Sequence, residues 1–219
     1  FYEVCEKNEC MLIIDLPILL DSYQKIEAWF VNNPSLRQPY GLSYYPSLQI
    51  YGANQWIPNS GAAAALFEQK DTRYGVWIAP SGTHSELEKT YIPVTKLDNK
   101  ETFRLNDLGI NVIRKFKSTN TILWGKGTVC GLNFENPYYK YIPIYRLLIM
   151  IDSHLKKLIQ TMSIEDFKTK IRELIYTLYS HQVLCGETVD KSYYIELEPD
   201  TKQLKLGLSL LQEDDYVFL

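Results

Sequence analysis

Residues 56–80 have the sequence WIPNSGAAAALFEQKDTRYGVWIAP, and this stretch decides the fold. Its PNSG segment, residues 58–61, favours a helix start, because asparagine and serine side chains accept hydrogen bonds from the first free amides of a helix. Alanines follow at 62–65, and their small side chains let a helix pack closely against its neighbours. We predict a helix that ends near Asp71 and a short extended segment over residues 75–80.

The segments before this helix alternate between strand and helix patterns. Residues 10–16 form an apolar run stopped by Pro17, which predicts a buried strand in the middle of a sheet. Asp21 is predicted to cap a helix that reaches Val31. Residues 43–51 return as an extended segment, so this region combines strands with helices.

The segments after the alanine-rich helix continue this mixture. Residues 81–99 predict a polar connection. Residues 110–116 and 121–129 are rich in strand-forming residues and predict an antiparallel hairpin. Apolar residues then recur every three or four positions over 144–158, which predicts an amphipathic helix of about five turns. Ser163 is predicted to cap a second amphipathic helix.

Short strand patterns end the chain, at residues 193–197, 204–210 and 216–219. Strands and helices are mixed along the sequence without a regular strand-helix-strand rhythm. We therefore predict an α+β fold: a mixed sheet flanked by helices, with a long amphipathic helix pair and a C-terminal strand segment.

The composition is typical of a globular protein. Of 219 residues, 46% are hydrophobic and 22% are charged, which fits one domain or one domain with a small appendage. A formal net charge of -3, with dispersed basic residues, argues against nucleic acid as a partner. The longest apolar stretches contain Asp15 or Arg146 and are shorter than the about 20 residues of a membrane-spanning helix, so we expect no membrane insertion. The four cysteines form no C-x-x-C pair, and we expect reduced thiols.

The sequence has no pattern typical of a metal site or of a nucleophile with its base. None of the histidines, His84, His154 and His181, has a second ligand at metal-binding spacing. His84 with Ser81 or Ser85 could form a base and a nucleophile, but neither a nucleophile elbow nor an orienting acid accompanies them. We therefore expect no metal site.

Two other features resemble functional sites only superficially. Residues 125–128, GKGT, lack the spacing of a phosphate-binding loop and more simply form a strand with close backbone packing. Asp71 and Arg73 could be a catalytic pair, but a surface salt bridge at a helix end is the simpler interpretation. We predict that the protein is not an enzyme and has no catalytic residue and no cofactor.

Three ordered motifs resemble those of phage-type contractile tail sheath proteins. Residues 56–80 are similar to the family's P-x-S-G-x-x-A helix start, which is followed by an aspartate and a G-V-W-x-A-P strand. Residues 105–114, LNDLGINVIR, are similar to L-N-x-x-G-I-N-x-I-R, and residues 123–128, LWGKGT, to W-G-x-R-T. After these three motifs, residues 141–147, YIPIYRL, are similar to the family's tyrosine-rich opening of a long helix. The matching positions, the family-motif residues, are Pro58, Ser60, Gly61, Asp71, Gly75, Trp77, Pro80, Leu105, Asn106, Gly109, Asn111, Arg114, Trp124, Gly125 and Arg146.

The sequence also departs from the family pattern. Gly127 stands where the family usually has arginine, Ala65 where glycine is common, and Tyr74 where a basic residue is frequent. The chain is therefore a divergent match.

The resemblance implies a structural subunit that polymerises helically around an inner tube and contracts to drive the tube through a target envelope. The implied partners are other copies of this chain, the inner tail tube protein, and baseplate and terminator proteins. The subunit would assemble in the cytoplasm into a phage tail or a bacterial contractile particle. Alternatives are a baseplate or other structural component of the same machine, and a soluble α/β enzyme, which a polar pocket around His84 and Asp71 would support.

The resemblance also implies a division of the chain. Residues 1–135 would form the conserved sheath core and residues 136–219 a C-terminal sheath domain, packed together as one unit. Because the chain begins at Phe1, with neither a methionine nor a signal-peptide pattern, we expect the family's N-terminal arm to be missing.

Two surfaces are candidates for contacts in such an assembly. Lys156 and Lys157, on the polar face of the long helix, would touch the inner tube, although a solvated helix face is the alternative. The chain's last residues would add a strand to a neighbouring subunit's sheet, and an ordinary edge strand of the same domain is the equal alternative. The residues of this strand are Asp215, Tyr216, Val217, Phe218 and Leu219.

Overall fold

A computed structural model describes residues 1–53, 55–116, 120–132, 134–198, 203–212 and 215–219. These residues divide into two compact units, Phe1–Arg146 and Leu147–Leu219. Helices occur together with mixed and antiparallel sheets, which confirms the predicted α+β fold. The predicted division into a sheath core and a C-terminal sheath domain at residue 135 stays a prediction.

The first unit contains most of the secondary structure. Its helices are α1 (Tyr2–Lys7), α2 (Tyr23–Asn32), α3 (Ser60–Tyr74), α4 (Asn99–Asp107) and the beginning of α5 (Ile142–Thr161). Its strands are β1 (Leu12–Ile14), β2 (Gly41–Tyr45), β3 (Leu48–Ile50), β4 (Trp56–Ile57), β5 (Tyr91–Pro93), β6 (Ile110–Lys115) and β7 (Thr121–Trp124).

A sheet with the strand order β1-β2-β6-β7 forms the centre of this unit. Strands β1, β2 and β6 run parallel, and β7 is antiparallel to β6. Leu42 and Tyr44 of β2 pack in one cluster with Phe67 of α3, whereas Tyr45 packs in a second cluster with Phe30 of α2. Because successive strand residues point to opposite faces, the sheet lies between α3 on one side and α2 on the other.

Strand β1 lies at the edge of this sheet, so its predicted position in the middle was wrong. Ile13 packs against the cluster that contains α3, and Ile14 packs against the cluster that contains α2. Helices therefore cover both faces of β1. An edge strand covered in this way is as apolar as a central one, which explains the error.

The predicted extended segment 43–51 is two strands in two sheets. The chain leaves β2 through a cis peptide bond between Tyr45 and Pro46 and then enters β3. Strand β3 pairs antiparallel with β4 and with β5, in the order β4-β3-β5. This second sheet leads the chain directly into α3.

Two further segments differ from the predictions. Residues 75–80 form a turn instead of an extended segment, because Gly75 takes φ +90° at the end of α3 and its carbonyl accepts a bond from the Ile78 amide at 3.2 Å. Helix α4 was not predicted. It begins with a capping box in which the Asp98 carboxylate accepts from the Glu101 amide and the Glu101 carboxylate accepts from the Asp98 amide.

The antiparallel hairpin and the longer helices confirm their predictions, although some of their ends differ. Strands β6 and β7 pair antiparallel, but β7 ends at Trp124 instead of Val129, and residues 125–128 form only an isolated bridge between Gly127 and Tyr141 instead of the predicted strand. Helix α3 begins as predicted but ends at Tyr74, beyond Asp71. Helix α2 is capped by Ser22 instead of Asp21, and Asp21 forms an ion pair with Lys25 at 2.9 Å.

The second unit contains the rest of α5, helix α6 (Ile164–Ser180) and strands β8 (Tyr193–Glu198), β9 (Gln203–Ser209) and β10 (Tyr216–Phe218). The Ser163 hydroxyl accepts from the Asp166 amide at 3.2 Å, which confirms the predicted cap of α6. The strands form an antiparallel sheet in the order β10-β9-β8. Within the described ranges, no helix combines the length and hydropathy needed to cross a bilayer.

The middle strand of this sheet carries a notch at Gly207. A side chain there would place its Cβ 2.8 Å from the ring of Phe218 on β10. The Phe218 ring also meets Tyr194 of β8 edge-on, with 5.9 Å between the ring centroids. Phe218 therefore lies over the backbone of β9 and against β8.

Candidate functional site

The start of α3 is held by Asp15, which follows β1. One Asp15 carboxylate oxygen accepts from the Asn59 amide at 2.8 Å and from the Ser60 amide at 3.0 Å. The other oxygen accepts from the Ser60 hydroxyl at 2.5 Å. A carboxylate at a helix N-terminus satisfies free amides and complements the helix dipole. Sequence reasoning missed Asp15, because it acts on a helix 44 positions away.

Asp71 and Arg146, both family-motif residues, form a bidentate ion pair between α3 and α5. Arg146 Nη1 donates to Asp71 Oδ1 at 2.9 Å, and Nη2 donates to Oδ2. The Arg146 guanidinium also lies over the Phe67 ring, 4.7 Å from its centroid. The predicted partner Arg73 instead lies over the Tyr74 ring. Asp71 is therefore part of a structural clamp.

Asn111 joins β2, β6 and the segment after β7. Its side-chain amide donates to the carbonyls of Ser43 at 3.2 Å and Gly127 at 2.8 Å, and its Oδ1 accepts from the Gly127 amide at 2.9 Å. A Cβ at Gly125 would lie 2.5 Å from Asn111 Oδ1, so glycine leaves room for this network. The Gly125 amide donates to the Ser81 hydroxyl at 2.9 Å, which gives Ser81 a structural role.

Three other family-motif residues support the same region. Gly109 has φ +83°, and a Cβ there would lie 2.2 Å from the Thr128 carbonyl oxygen, so only glycine fits. Leu105 is fully buried beneath the sheet. Arg114 donates to the Asn99 side chain at 3.1 Å. Gly109, Leu105 and Arg114 therefore maintain the central sheet and the turns beside it.

A smaller group of family-motif residues has no such role. Pro58 and Gly61 are exposed, and no atom lies within 4 Å of a Cβ placed at Gly61. Trp124 is 39% exposed, and its ring lies 5.8 Å from that of Phe116. These three residues, which we call the exposed motif residues, are available for contact with another molecule.

The candidate tube-contacting lysines lie on α5. Lys156 is exposed and forms an ion pair with Asp152 at 2.5 Å, and Lys157 is also exposed. Their assignment to tube contact stays a prediction.

The candidate inter-subunit strand pairs with its own chain. Val217 of β10 lies opposite Leu208 of β9. The Leu219 amide donates to the Leu206 carbonyl at 2.8 Å, and the Tyr216 hydroxyl donates to the Lys191 carbonyl at 3.0 Å. This arrangement corresponds to an edge strand of the same domain, and donation to a neighbour stays a prediction.

Several ionisable groups with shifted pKa values are buried side chains. Burial raises the pKa of Tyr44 and of Tyr145, and burial lowers the pKa of Lys70, whose ammonium lies over the Tyr74 ring. The described residues contain no group of three or more histidine, cysteine or acidic side chains that could hold a metal ion. His84 is exposed, and the Asp71 carboxylate binds the Arg146 guanidinium.

No protein-family model matches this chain, and no curated protein matches its sequence. Solved structures match it in fold. A chain of the anti-feeding prophage (AFP) baseplate in the contracted state is 19% identical with a TM-score of 0.77, covering 100% of this chain and 66% of that chain. A chain of the PVC sheath complex, from an extracellular contractile injection system in the contracted state, is 21% identical with a TM-score of 0.70, covering 95% and 61%.

The sheath tail protein from Desulfitobacterium hafniense is similar at 7% identity, with a TM-score of 0.63, covering 85% of this chain and 46% of that chain. This chain thus spans about half to two thirds of the length of the solved chains that it matches. At identities this low, the TM-scores establish a shared architecture. The chain therefore has the fold of contractile tail sheath proteins.

Proposed function

We propose that this chain is a structural subunit of a contractile tail sheath, which polymerises helically around an inner tube and contracts to drive the tube through a target envelope. The observation that carries this proposal is the likeness to the PVC sheath chain, which extends over 95% of this chain with a TM-score of 0.70. The role is structural and not enzymatic. The occupied Asp71 carboxylate supports this, because it leaves the suggested enzyme site without a free acid.

The exposed motif residues support a role in assembly. The family pattern includes Pro58, Gly61 and Trp124, yet the fold of the monomer gives Gly61 open space and leaves Trp124 partly exposed. A partly exposed tryptophan is a typical anchor of protein interfaces. We assign these three residues to contacts with other copies of the chain. Such contacts join two different patches, because only an unlike pair repeats into an open helix.

The terminal strand supplies a second contact. Strand β10 is three residues long and pairs with β9 at the sheet edge. A neighbouring copy could offer the same strand to the same edge with the same bonds, so exchange between subunits costs little. The exchanged residues are Asp215, Tyr216, Val217, Phe218 and Leu219.

Lys156 and Lys157 would hold the inner tube. Exposed charges on a helix give contacts that can release without separating a large apolar interface, which a contracting sheath requires. Baseplate and terminator proteins would contact the two ends of the polymer. The particle would be a phage tail or a bacterial contractile particle, assembled in the cytoplasm.

A baseplate component of the same machine is the second candidate. The chain from the contracted AFP baseplate matches over 100% of this chain with a TM-score of 0.77. A chain from the 6-fold symmetrised AFP baseplate also matches, with a TM-score of 0.67. A baseplate role would give closed rings instead of long polymers.

Electron microscopy of the purified full-length protein, with and without the inner tube protein, tests the proposal. A sheath subunit should form long helical tubes with two different pitches. The tubes with the extended pitch should form only around the inner tube. Closed rings would support the baseplate role. A protein that stays monomeric under both conditions would refute both assignments.

A charge-reversal pair tests the tube contact. Lys156→Glu with Lys157→Glu should leave the circular dichroism spectrum unchanged and prevent extended sheath around the tube. The control is Lys170→Glu with Arg172→Glu on α6, which also reverses two exposed charges and also breaks one surface ion pair, Lys170 with Glu173. Normal extended assembly of the Lys156 and Lys157 variant would refute the tube assignment.

A further inference from the structure

The end of α1 brings two cysteines together. The Cys10 amide donates to the Cys5 carbonyl at 3.0 Å, and the Glu9 amide donates to the Glu6 carbonyl at 3.3 Å. Glu9 has φ +51°, in the left-handed region. These features define a Schellman motif, in which the residue after the left-handed position contacts the last full turn of the helix. Here both residues at this contact are cysteines.

The two cysteines differ in exposure. Cys5 is 5% exposed, whereas Cys10 is exposed. Burial raises the pKa of the Cys5 thiol, and the neighbouring Cys10 thiol adds to this shift. A reagent in solution therefore reaches Cys10 and not Cys5.

We propose that Cys5 and Cys10 form a redox modification site, a dithiol that small-molecule disulfides such as glutathione disulfide convert into an intramolecular disulfide. The Cys10 thiolate attacks one sulfur of glutathione disulfide, which forms a mixed disulfide on Cys10 and releases one glutathione thiolate. Cys5 gives up its proton to solvent and attacks the Cys10 sulfur, which releases the second glutathione. The protein loses two electrons and two protons, and the glutathione disulfide is reduced to two glutathione molecules.

The geometry favours this pair over the other cysteines. Cys130 is buried at 5% exposure and Cys185 is half-buried. A backbone hydrogen bond between Cys5 and Cys10 keeps their Cα atoms close, which a disulfide requires. The expectation of reduced thiols therefore holds for Cys130 and Cys185, whereas Cys5 and Cys10 are positioned to form a disulfide.

The disulfide would fix the connection between α1 and β1. Only Met11 separates Cys10 from β1, so the closed ring would hold the helix end against the first strand of the central sheet. Its formation would reduce fraying of α1 and slow hydrogen exchange of the Cys10 amide.

The position of Lys7 makes the test direct. Trypsin cleaves after Lys7, between the two cysteines, and next after Lys25. The full chain is incubated with glutathione disulfide, alkylated and digested. Closure is then seen as the peptide that ends at Lys7 joined to the peptide Asn8–Lys25, in protein that remains monomeric on a non-reducing gel.

Two variants separate the steps. Cys5→Ala should keep a stable glutathione adduct on Cys10, about 305 Da heavier, because the second thiol is gone. Cys10→Ser should take up no glutathione at Cys5. Cys185→Ser is the control and should close as the natural chain does. Circular dichroism of each variant shows that the fold is kept.

Four results would overturn the proposal. They are a lasting glutathione adduct on Cys10 of the natural chain, a bond from Cys10 to Cys130 or Cys185, dimers linked through Cys10, and two thiols that stay fully alkylatable after oxidation. These outcomes do not depend on sheath assembly, so failure here leaves the proposed function untouched.

Discussion

Replacing Asp71 with asparagine should weaken the first unit by about 2 kcal/mol. The substitution keeps the shape of the side chain and removes the charge that binds both nitrogens of Arg146. The Arg146 side chain is 18% exposed and that of Asp71 is 25% exposed. Exposed pairs contribute about 0–1 kcal/mol, and breaking fully buried pairs costs about 3–5 kcal/mol, so a mostly buried bidentate pair falls between these values.

Tryptophan fluorescence measures the stability of the unit Phe1–Arg146, which contains the Asp71–Arg146 pair. The four tryptophans, Trp29, Trp56, Trp77 and Trp124, all lie in the unit Phe1–Arg146. A loss of about 2 kcal/mol should lower the midpoint of thermal unfolding by about 4–8 °C. A double-mutant cycle with Arg146→Met isolates the pair, and we expect a coupling energy of at least about 1 kcal/mol.

An exposed ion pair provides the matched comparison. Asp21→Asn removes the partner of Lys25 in the same unit, where the Lys25 and Asp21 side chains are 56% and 61% exposed, and should change stability by less than about 0.5 kcal/mol. If Asp71→Asn changes stability no more than this control, or if the effects of Asp71→Asn and Arg146→Met simply add, the clamp does not stabilise the unit as inferred.

Two further predictions concern single side chains. Gly109→Ala should destabilise the fold by more than about 3 kcal/mol in chemical denaturation, because residue 109 has φ +83° and the new Cβ would lie 2.2 Å from a backbone oxygen. Gly61→Ala, where the new Cβ meets open space, should be neutral or slightly stabilising in the same assay. Tyr44→Phe should change stability by less than about 1 kcal/mol at neutral pH, because the Tyr44 hydroxyl is buried and has no hydrogen-bond partner within the described part of the chain. Burial raises the pKa of Tyr44, so the unfolded chain loses the phenol proton at lower pH than the folded chain does. The free energy of unfolding of the natural protein should therefore fall above about pH 10. The free energy of unfolding of Tyr44→Phe should fall less over the same range. Equal alkaline profiles, or a stable Gly109→Ala variant, would contradict these two expectations.

Local patterns predicted most of the fold. The hairpin of β6 and β7 and the helices α3, α5 and α6 follow from residue types within a few positions of one another. Helix α4 was missed because its sequence, NKETFRLND, is mostly polar, although the spacing of Asp98 and Glu101 was a visible signal of its start. The turn at 75–80 was predicted as extended because its apolar residues look like a strand, while the decisive feature is the left-handed backbone of Gly75.

Long-range partners could not be predicted. Asp15 meets α3 across 44 positions, and Arg146 meets Asp71 across 75 positions. A single sequence contains no spacing rule for such pairs, since their distance depends on how the intervening sheet folds. The resemblance to sheath motifs singled out Asp71 and Arg146 separately, and the structure shows that the two form one clamp.

The notch at Gly207 makes the last strand replaceable by a free peptide. Phe218 rests against a position without a side chain, and two further residue pairs hold the rest of β10 to β9. A synthetic pentapeptide with the sequence DYVFL would present the same ring at the same register. Such a peptide would be a competitive ligand for this sheet edge, and a fluorescent label on it would give a direct titration of how often the edge is vacant.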